Sequence, residues 1–186
     1  MLVRVRSMAG GRQRRGLGFT LIELLVVVAM VAILAALATP SLRAFAANQA
    51  LAGVTSDLMA ASMTARSTAI NRNQRVMIEP MSGTDWTSGW RVYIDKDASA
   101  DFDATKDEQI IEGQPAPDTV VTNAVAVTNC ASKDKFGYDA DGFLHVGGTL
   151  GNGGVPLKSS VTGRDRCVVF ERAGRTRICG TGAEAC

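Results

Sequence analysis

The sequence predicts an α+β protein in which one long helix precedes an antiparallel β-rich part. Apolar residues recur with helical spacing as far as residue 72, and short β-like runs separated by Gly, Asp, Ser and Asn follow from residue 75. In addition, residues 24–38 form an unbroken apolar run. We therefore expect three regions: a leader over 1–18, a helix over 19–72 and a β-rich domain over 73–186.

The first region, residues 1–18, is basic, with five arginines and no acidic residue. The whole chain of 186 residues has 20 basic and 18 acidic side chains, so removal of this region would leave 15 against 18, a formal charge of −3. This near balance excludes a polyelectrolyte tail, and a hydrophobic content of 46% excludes a wholly disordered chain. A folded domain is therefore expected.

Residues 19–38 have the length of a membrane-spanning helix. At about 1.5 Å per residue they extend about 30 Å, the thickness of the hydrocarbon core of a bilayer. The arginine-rich region before them is expected to stay cytoplasmic, which sends the rest of the chain outward. A secretory signal peptide has the same polarity, and the sequence LATPSLRAF after the apolar run leaves room for its cleavage site.

Glu23 places a carboxylate near the start of the apolar run. An unpaired charge in lipid is costly, so one interpretation is a functional role with a cation at the same depth, such as the N-terminal amine of another subunit. The other interpretation is that the side chain reaches back to the headgroups. The residues alone leave both open.

The string RRGLGFTLIELLVVVAMVAILAALATPS resembles the class III signal of type IV prepilins and type II secretion pseudopilins. The resemblance implies that a prepilin peptidase cleaves after Gly18, that the new N-terminal Phe19 is methylated, and that Glu23 acts in filament assembly. It also implies a single-pass inner-membrane protein with a periplasmic head, which becomes extracellular in the pilus. Other major and minor pilins would then be its partners.

The segment after Pro40 carries an apolar stripe with steps of three and four residues. Its members are Ala47, Leu51, Val54, Leu58, Ala61 and Ala65. Arg43, Asp57 and Arg66 fall off this stripe, as expected for a helix half embedded in a domain. A coiled coil is disfavoured because the stripe is rich in alanine and flanking charge pairs are not sustained.

Seven β-like runs follow, and we expect them to form an antiparallel sheet packed on the helix. They are RVMIEP, GWRVYID, TVVTNAVAV, DKFGYD, GFLHV, CVVFE and TRIC. With the helix end ARSTAINRNQRV and the strand pair around AGRTR, this part resembles the GspH/FimT-type minor pilins. The resemblance implies the type IV pilin fold.

The last predicted hairpin, CVVFERAGRTRIC, is rich in arginine. Gly174 permits a short connection, and Arg175 and Arg177 should share one strand face about 7 Å apart, a spacing comparable with that of phosphates along nucleic acid. Four more cations extend the predicted patch: Arg172, Arg166, Arg164 and Lys158. The alternative is that these side chains are solvated or pair with Asp165 and Glu171.

The string Gly174-Arg175-Thr176-Arg177 resembles the GRxR motif of DNA-binding FimT-type pilins of competent bacteria. It implies that DNA is a partner, bound through its phosphates without sequence preference, and that the protein acts in DNA uptake during natural transformation. Phe170 is expected in the core rather than as a platform for bases. The rival hypothesis is a structural FimU-like minor pilin or GspH-like pseudopilin that primes assembly at the tip without binding DNA.

The chain has four cysteines, and in a head outside the cytoplasm they predict two disulfides. One alternative joins Cys167 to Cys179 within the hairpin. The other joins Cys130 to Cys167 and Cys179 to Cys186, and we favour it because it closes a longer loop. A zinc site is disfavoured because the spacings contain no CxxC pair.

The segment 97–108 repeats the spacing of an EF-hand loop, but Phe102 occupies the position that requires glycine. We therefore expect a solvated acidic loop without a metal. The spaced residues are Asp97, Ser99, Asp101, Asp103 and Glu108. No grouping of nucleophile, base and acid is visible around the single histidine, so the sequence predicts no catalytic residue, no cofactor and no enzymatic activity.

Overall fold

The computed structural model describes residues 19–122, 130, 135–146 and 149–180. The chain divides into two compact units, Met1–Thr39 and Pro40–Cys186, and helix α1, Leu21–Arg72, contributes to both. The predicted leader over 1–18, including Gly18, lies outside the described residues.

The described part of the first unit, residues 19–39, is exposed throughout. By length and composition, α1 is apolar enough to cross a membrane. Its first turn has a capping box: the Thr20 N–H donates to Glu23 Oε2 at 2.9 Å, and the Glu23 N–H donates to Thr20 Oγ1 at 3.3 Å. The Glu23 carboxylate therefore satisfies the Thr20 N–H, and the Thr20 hydroxyl satisfies the Glu23 N–H. The pattern Thr-x-x-Glu is a sequence signal for this role.

The apolar stripe of the second unit is confirmed, since all six predicted members are buried. Ala69 continues it by one more step. The small alanines allow the sheets to approach the helix closely, while Leu51 and Leu58 fill the space between them. The stripe therefore fixes which side of the helix faces the sheets.

Ten strands form two antiparallel sheets in the described residues. The strands are β1 Val76–Ser82, β2 Asp85–Ile94, β3 Glu108–Glu112, β4 Val120–Thr122, β5 Phe136–Tyr138, β6 Leu144–Val146, β7 Thr149–Leu150, β8 Gly153–Ser159, β9 Asp165–Phe170 and β10 Thr176–Gly180. The first sheet has the order β3-β2-β1-β5-β6-β7, and the second has the order β10-β9-β8-β4. The α+β class with an antiparallel β-rich part is thus confirmed.

The expectation of one sheet of seven strands was wrong, because the described residues form two sheets with ten strands. Strands β3, β7 and β8 lie outside the seven predicted runs, because β3 begins and ends with a glutamate, β7 has only two residues, and β8 contains two glycines and Pro156. Pro156 lies opposite Cys167 of β9. On its other side, the described pairing of β8 with β4 ends at the neighbouring residue, Leu157. Of the predicted run TVVTNAVAV, residues 123–127 lie outside the described residues.

Aromatic rings join the two sheets in one hydrophobic core. The ring centroid of Phe136 in β5 lies 5.5 Å from that of Trp86 in β2 and 4.2 Å from that of Phe170 in β9. All three side chains are fully buried. Phe170 is therefore a core residue, as the sequence predicted.

Cys130 and Cys167 form a disulfide with a Cα–Cα distance of 6.0 Å. This excludes the alternative pairing of Cys167 with Cys179. Cys167 and Val169 alternate along β9 with Val168 and Phe170, so the disulfide lies on the face of the second sheet opposite the main core. Cys179 is also disulfide-bonded, and Cys186 lies outside the described residues.

Candidate nucleic-acid interface

The connection between β9 and β10 carries the centre of the predicted DNA-binding motif. The Glu171 N–H donates to the Arg175 carbonyl at 2.9 Å, and the Gly174 N–H donates to the Glu171 carbonyl at 2.7 Å. These bonds close a tight turn that projects Arg172 and Ala173 at its tip, where both are exposed. In the strands beyond it, Arg177 pairs with Val169.

Gly174 is required by this turn on structural grounds alone. Its φ is +80°, a conformation that side chains with Cβ rarely adopt. A Cβ there would also lie 2.1 Å from the Gly142 carbonyl oxygen and 2.5 Å from Arg66 Nε. Close packing alone therefore explains the glycine of the GRxR-like string, and no role in DNA binding is needed to account for it.

Arg66 of α1 holds the turn in place. Its Nε donates to the Gly142 carbonyl and its Nη2 to the Ala173 carbonyl, both at 3.1 Å. One guanidinium thus ties the helix to the β5–β6 connection and to the β9–β10 turn. The apolar stripe predicted only that Arg66 lies off the buried face of the helix. Its hydrogen-bond partners are 76 and 107 residues away in the chain, so no local sequence pattern indicates them.

Three buried hydroxyl groups lie directly beneath the turn. Ser62 Oγ lies 2.6 Å from Tyr138 Oη and 2.6 Å from Thr176 Oγ1, and the last two atoms are 3.2 Å apart. They come from α1, β5 and β10, so this cluster links the helix to both sheets. Burial raises the pKa of Tyr138, which keeps its hydroxyl protonated and able to donate.

The structure divides the predicted cationic patch into two groups. Arg164 lies in the β8–β9 turn and Arg172 in the β9–β10 turn, at opposite ends of β9, whose six residues extend about 17 Å. Lys158, also at the Arg164 end, pairs with Asp165 at 3.3 Å. Arg166 lies opposite Leu157 and Gly180, again toward that end. The expectation of one continuous patch is therefore corrected to a smaller group at the β9–β10 turn.

Arg177 fits the alternative in which the arginines form ion pairs. Its Nη2 lies 2.8 Å from Glu171 Oε1, and the two side chains are 33% and 27% exposed. Because Ile178 packs against the main core, the alternation of β10 puts Arg177 on the same face as Cys179. The prediction that Arg175 and Arg177 share one face assumed that both lie in a strand. Arg175 precedes β10, so this alternation of side chains does not apply to it.

Arg172 and Arg175 are the most accessible cations at the β9–β10 turn. Both are exposed, and neither has an ion-pair partner among the residues that the structure describes. The Arg172 N–H donates to Asn152 Oδ1 at 2.7 Å, which fixes its backbone. Arg175 lines an open groove of about 400 Å³ with Met63, Arg66 and Ile70 of the helix.

The acidic loop between β2 and β3 is held by its own carboxylates. Asp97 accepts hydrogen bonds from the Ser99 N–H at 3.0 Å and from Lys106 Nζ at 3.1 Å. The Ser99 side chain, Lys106 and the Ser99 backbone together lower the pKa of Asp97 to about 2. Phe102, which breaks the EF-hand pattern, packs edge-on against Tyr93 at 5.1 Å between ring centroids. The loop is therefore an acidic segment that is held in place by hydrogen bonds and ring packing.

The exposed apolar start of α1, the amphipathic remainder and the antiparallel sheets packed on it define the class of minor type IV pilins and pseudopilins. The chain belongs to the GspH family, whose model, described as type II transport protein GspH, matches residues 54–174. A second model, the prokaryotic N-terminal methylation motif, matches residues 13–39. Together these matches cover both the signal segment and most of the β-rich part.

Two crystal structures of the type IV minor pilin FimU from Pseudomonas aeruginosa strain PAO1 resemble the chain. Each is 19% identical; the first covers 72% of this chain and 91% of its own with a TM-score of 0.55, and the second covers 69% and 91% with a TM-score of 0.51. At this identity the likeness establishes the fold. No curated protein sequence matches the chain.

Proposed function

We propose that this minor pilin binds DNA through Arg172 and Arg175 at the β9–β10 turn and acts in DNA uptake during natural transformation. The observation that supports it is the pair of exposed arginines on a turn whose backbone is held by Arg66. Arg177 contributes less, because Glu171 already engages its guanidinium. Lys158, Arg164 and Arg166 lie toward the other end of β9 and are left out of the proposed site.

Guanidinium groups bind phosphate oxygens through paired hydrogen bonds and release counterions from DNA. If two phosphates are neutralised, affinity falls by about tenfold when salt rises from about 50 to about 200 mM. Binding through two phosphates is weak. It has no sequence preference, because the phosphates are the same at every base pair. Several copies in one filament would strengthen it through multivalency.

The test compares variants of the detergent-solubilised mature chain in binding to labelled duplex DNA across a salt series. We expect Arg172→Gln with Arg175→Gln to remove most of the binding, since Arg177, the remaining cation of the GRxR-like string, is already engaged by Glu171. Lys158→Gln with Arg164→Gln removes the same charge at the other end of β9 and should leave most of the affinity. Absence of binding by the unaltered protein at low salt, or equal losses in both double variants, would refute the proposal.

We also infer how the chain reaches its site of action. A prepilin peptidase cleaves after Gly18, Phe19 is methylated, and the exposed apolar helix anchors the protein in the inner membrane with a periplasmic head until it enters an extracellular pilus. The methylation motif and the exposure of residues 19–39 support this route. Assembly would require Glu23 to exchange its bonds to Thr20 for a partner in the filament.

The second candidate is a structural minor pilin or pseudopilin that primes filament assembly without binding DNA. The ion pairs Arg177–Glu171 and Lys158–Asp165 favour it, because they engage two of the six cations first assigned to DNA. In that case Arg172 and Arg175 would be contacts to neighbouring subunits. Both candidates are non-enzymatic, as the sequence predicts.

A further inference from the structure

Phe143 places an exposed aromatic ring beside the arginine-bearing turn. Its side chain is 43% exposed, and the N–H of the next residue, Leu144, donates to the Arg172 carbonyl at 2.9 Å. The preceding residue, Gly142, is the one whose carbonyl receives Arg66. The backbone on both sides of Phe143 is thus bonded to the turn or to its clamp.

The backbone that carries this ring is held by hydrogen bonds on both sides of the peptide unit. The Phe143 N–H donates to Asp141 Oδ1 at 3.0 Å, and its carbonyl accepts from the Asp139 N–H at 3.2 Å. Within the described residues from 76 to 180, all other Phe, Tyr and Trp side chains are buried except Phe102, which packs on Tyr93. Phe143 is the ring that this part of the molecule presents to solvent.

Apolar side chains of the helix extend this surface. Met63 and Ile70 are 54% and 49% exposed and line the groove beside Arg175. The Cδ1 atom of Ile70 lies so close to Gly142 that a Cβ there would be only 2.9 Å away. The cations of the turn therefore adjoin an aromatic ring and an aliphatic groove.

We propose that the site of the proposed function takes single-stranded DNA in preference to duplex, with Phe143 stacking on an unpaired base while Arg172 and Arg175 bind the adjacent phosphates; this rests on that function. In the interior of a duplex both faces of each base are covered by stacking neighbours, so Phe143 would have no base face to stack on there. In a single strand a base can turn out onto an aromatic ring, and such stacking is tolerant of sequence. The positive charge at the turn complements the strand backbone.

The test measures binding of the detergent-solubilised mature chain to a labelled single-stranded oligonucleotide of mixed sequence and to the duplex of the same length. We expect the single strand to bind about tenfold more tightly. Phe143→Ala should remove this preference and leave duplex binding unchanged, while Phe143→Tyr should retain it. Phe45→Ala, which truncates an exposed ring on the helix, is the control and should change neither.

The outcomes separate this inference from the function on which it rests. Equal affinity of the unaltered protein for both DNA forms, or no effect of Phe143→Ala, would overturn the role of Phe143 while duplex binding still supported the proposed function. Loss of filament assembly in Phe143→Ala without a change in DNA binding would assign the ring to a neighbouring subunit, and would also overturn it. Absence of all DNA binding would refute both proposals.

Discussion

Gly174 and Arg66 show how single residues near the motif serve the fold. Gly174 adopts a positive φ and lies against Gly142, and Arg66 bonds the carbonyls of Gly142 and Ala173. A glycine in a GRxR-like string is therefore compatible with a purely structural turn. DNA binding would depend on the arginines, of which Arg172 and Arg175 are exposed whereas Arg177 is paired with Glu171.

Replacing Gly174 with alanine is expected to destabilise the domain more than the same change at Gly163. Both glycines have positive φ, +80° and +70°, but a Cβ at Gly163 meets nothing within 4 Å. Gly163→Ala should therefore lower the free energy of unfolding by about 1–2 kcal/mol, because only the positive φ is unfavourable for alanine. Gly174→Ala should lower it by about 1–3 kcal/mol more, because the added methyl group also overpacks the site. Urea unfolding followed by tryptophan fluorescence measures this, because both tryptophans lie in β2. Equal losses would mean that the turn can move away from Gly142.

At the scale of elements, the hydroxyl cluster of Ser62, Tyr138 and Thr176 joins α1 to one strand of each sheet. The cluster is buried, so each hydroxyl depends on the other two for its hydrogen bonds. Arg66 lies one helical turn further along and bonds the turns above it. The orientation of the β9–β10 hairpin on the helix is thus set by polar contacts as well as by the core.

A double-mutant cycle of Ser62→Ala and Tyr138→Phe tests this linkage. Ser62 contacts both other hydroxyls, so removing it leaves Tyr138 with the longer 3.2 Å contact to Thr176. We expect each single variant to lose about 1–3 kcal/mol in urea unfolding and the pair to show a coupling energy of about 0.5–3 kcal/mol. Thr64→Ala, an exposed hydroxyl on the same helix, is the control and should change stability little. Additive losses would show that the hydroxyls act independently.

The elements that the sequence predicted are those with local signals. The stripe from Ala47 to Ala65 repeats within the helix itself, so its burial follows from spacing alone. By contrast, β8 forms despite Pro156 because its neighbours β9 and β4 supply the pairing. Phe143 and Arg172 are 29 residues apart in the chain, and the hydrogen bond from the Leu144 N–H to the Arg172 carbonyl brings them close together. Contacts of this kind depend on tertiary pairing, which a single sequence does not show.

At the scale of the whole molecule, charge is distributed unevenly. Without residues 1–18 the chain carries a formal charge of −3, and the β2–β3 segment is acidic. DNA would therefore meet a favourable surface at the β9–β10 turn and a repulsive one at the acidic loop. Binding through a small cationic group on an acidic body is expected to be weak for one subunit and sensitive to salt.

The precursor prediction concerns the full chain, and N-terminal sequencing with intact mass of membrane-extracted protein tests it. Cleavage after Gly18 should give a chain of 168 residues, from the 186 of the precursor, that begins with methylated Phe19. Gly18→Val should leave the leader attached, because a branched side chain replaces the glycine at the cleaved bond. Gly16→Val, two residues earlier, is the matched control and should be processed normally. A chain that begins beyond Pro40 would show cleavage as a secretory signal peptide, which would remove the apolar helix and leave no membrane anchor for a filament subunit.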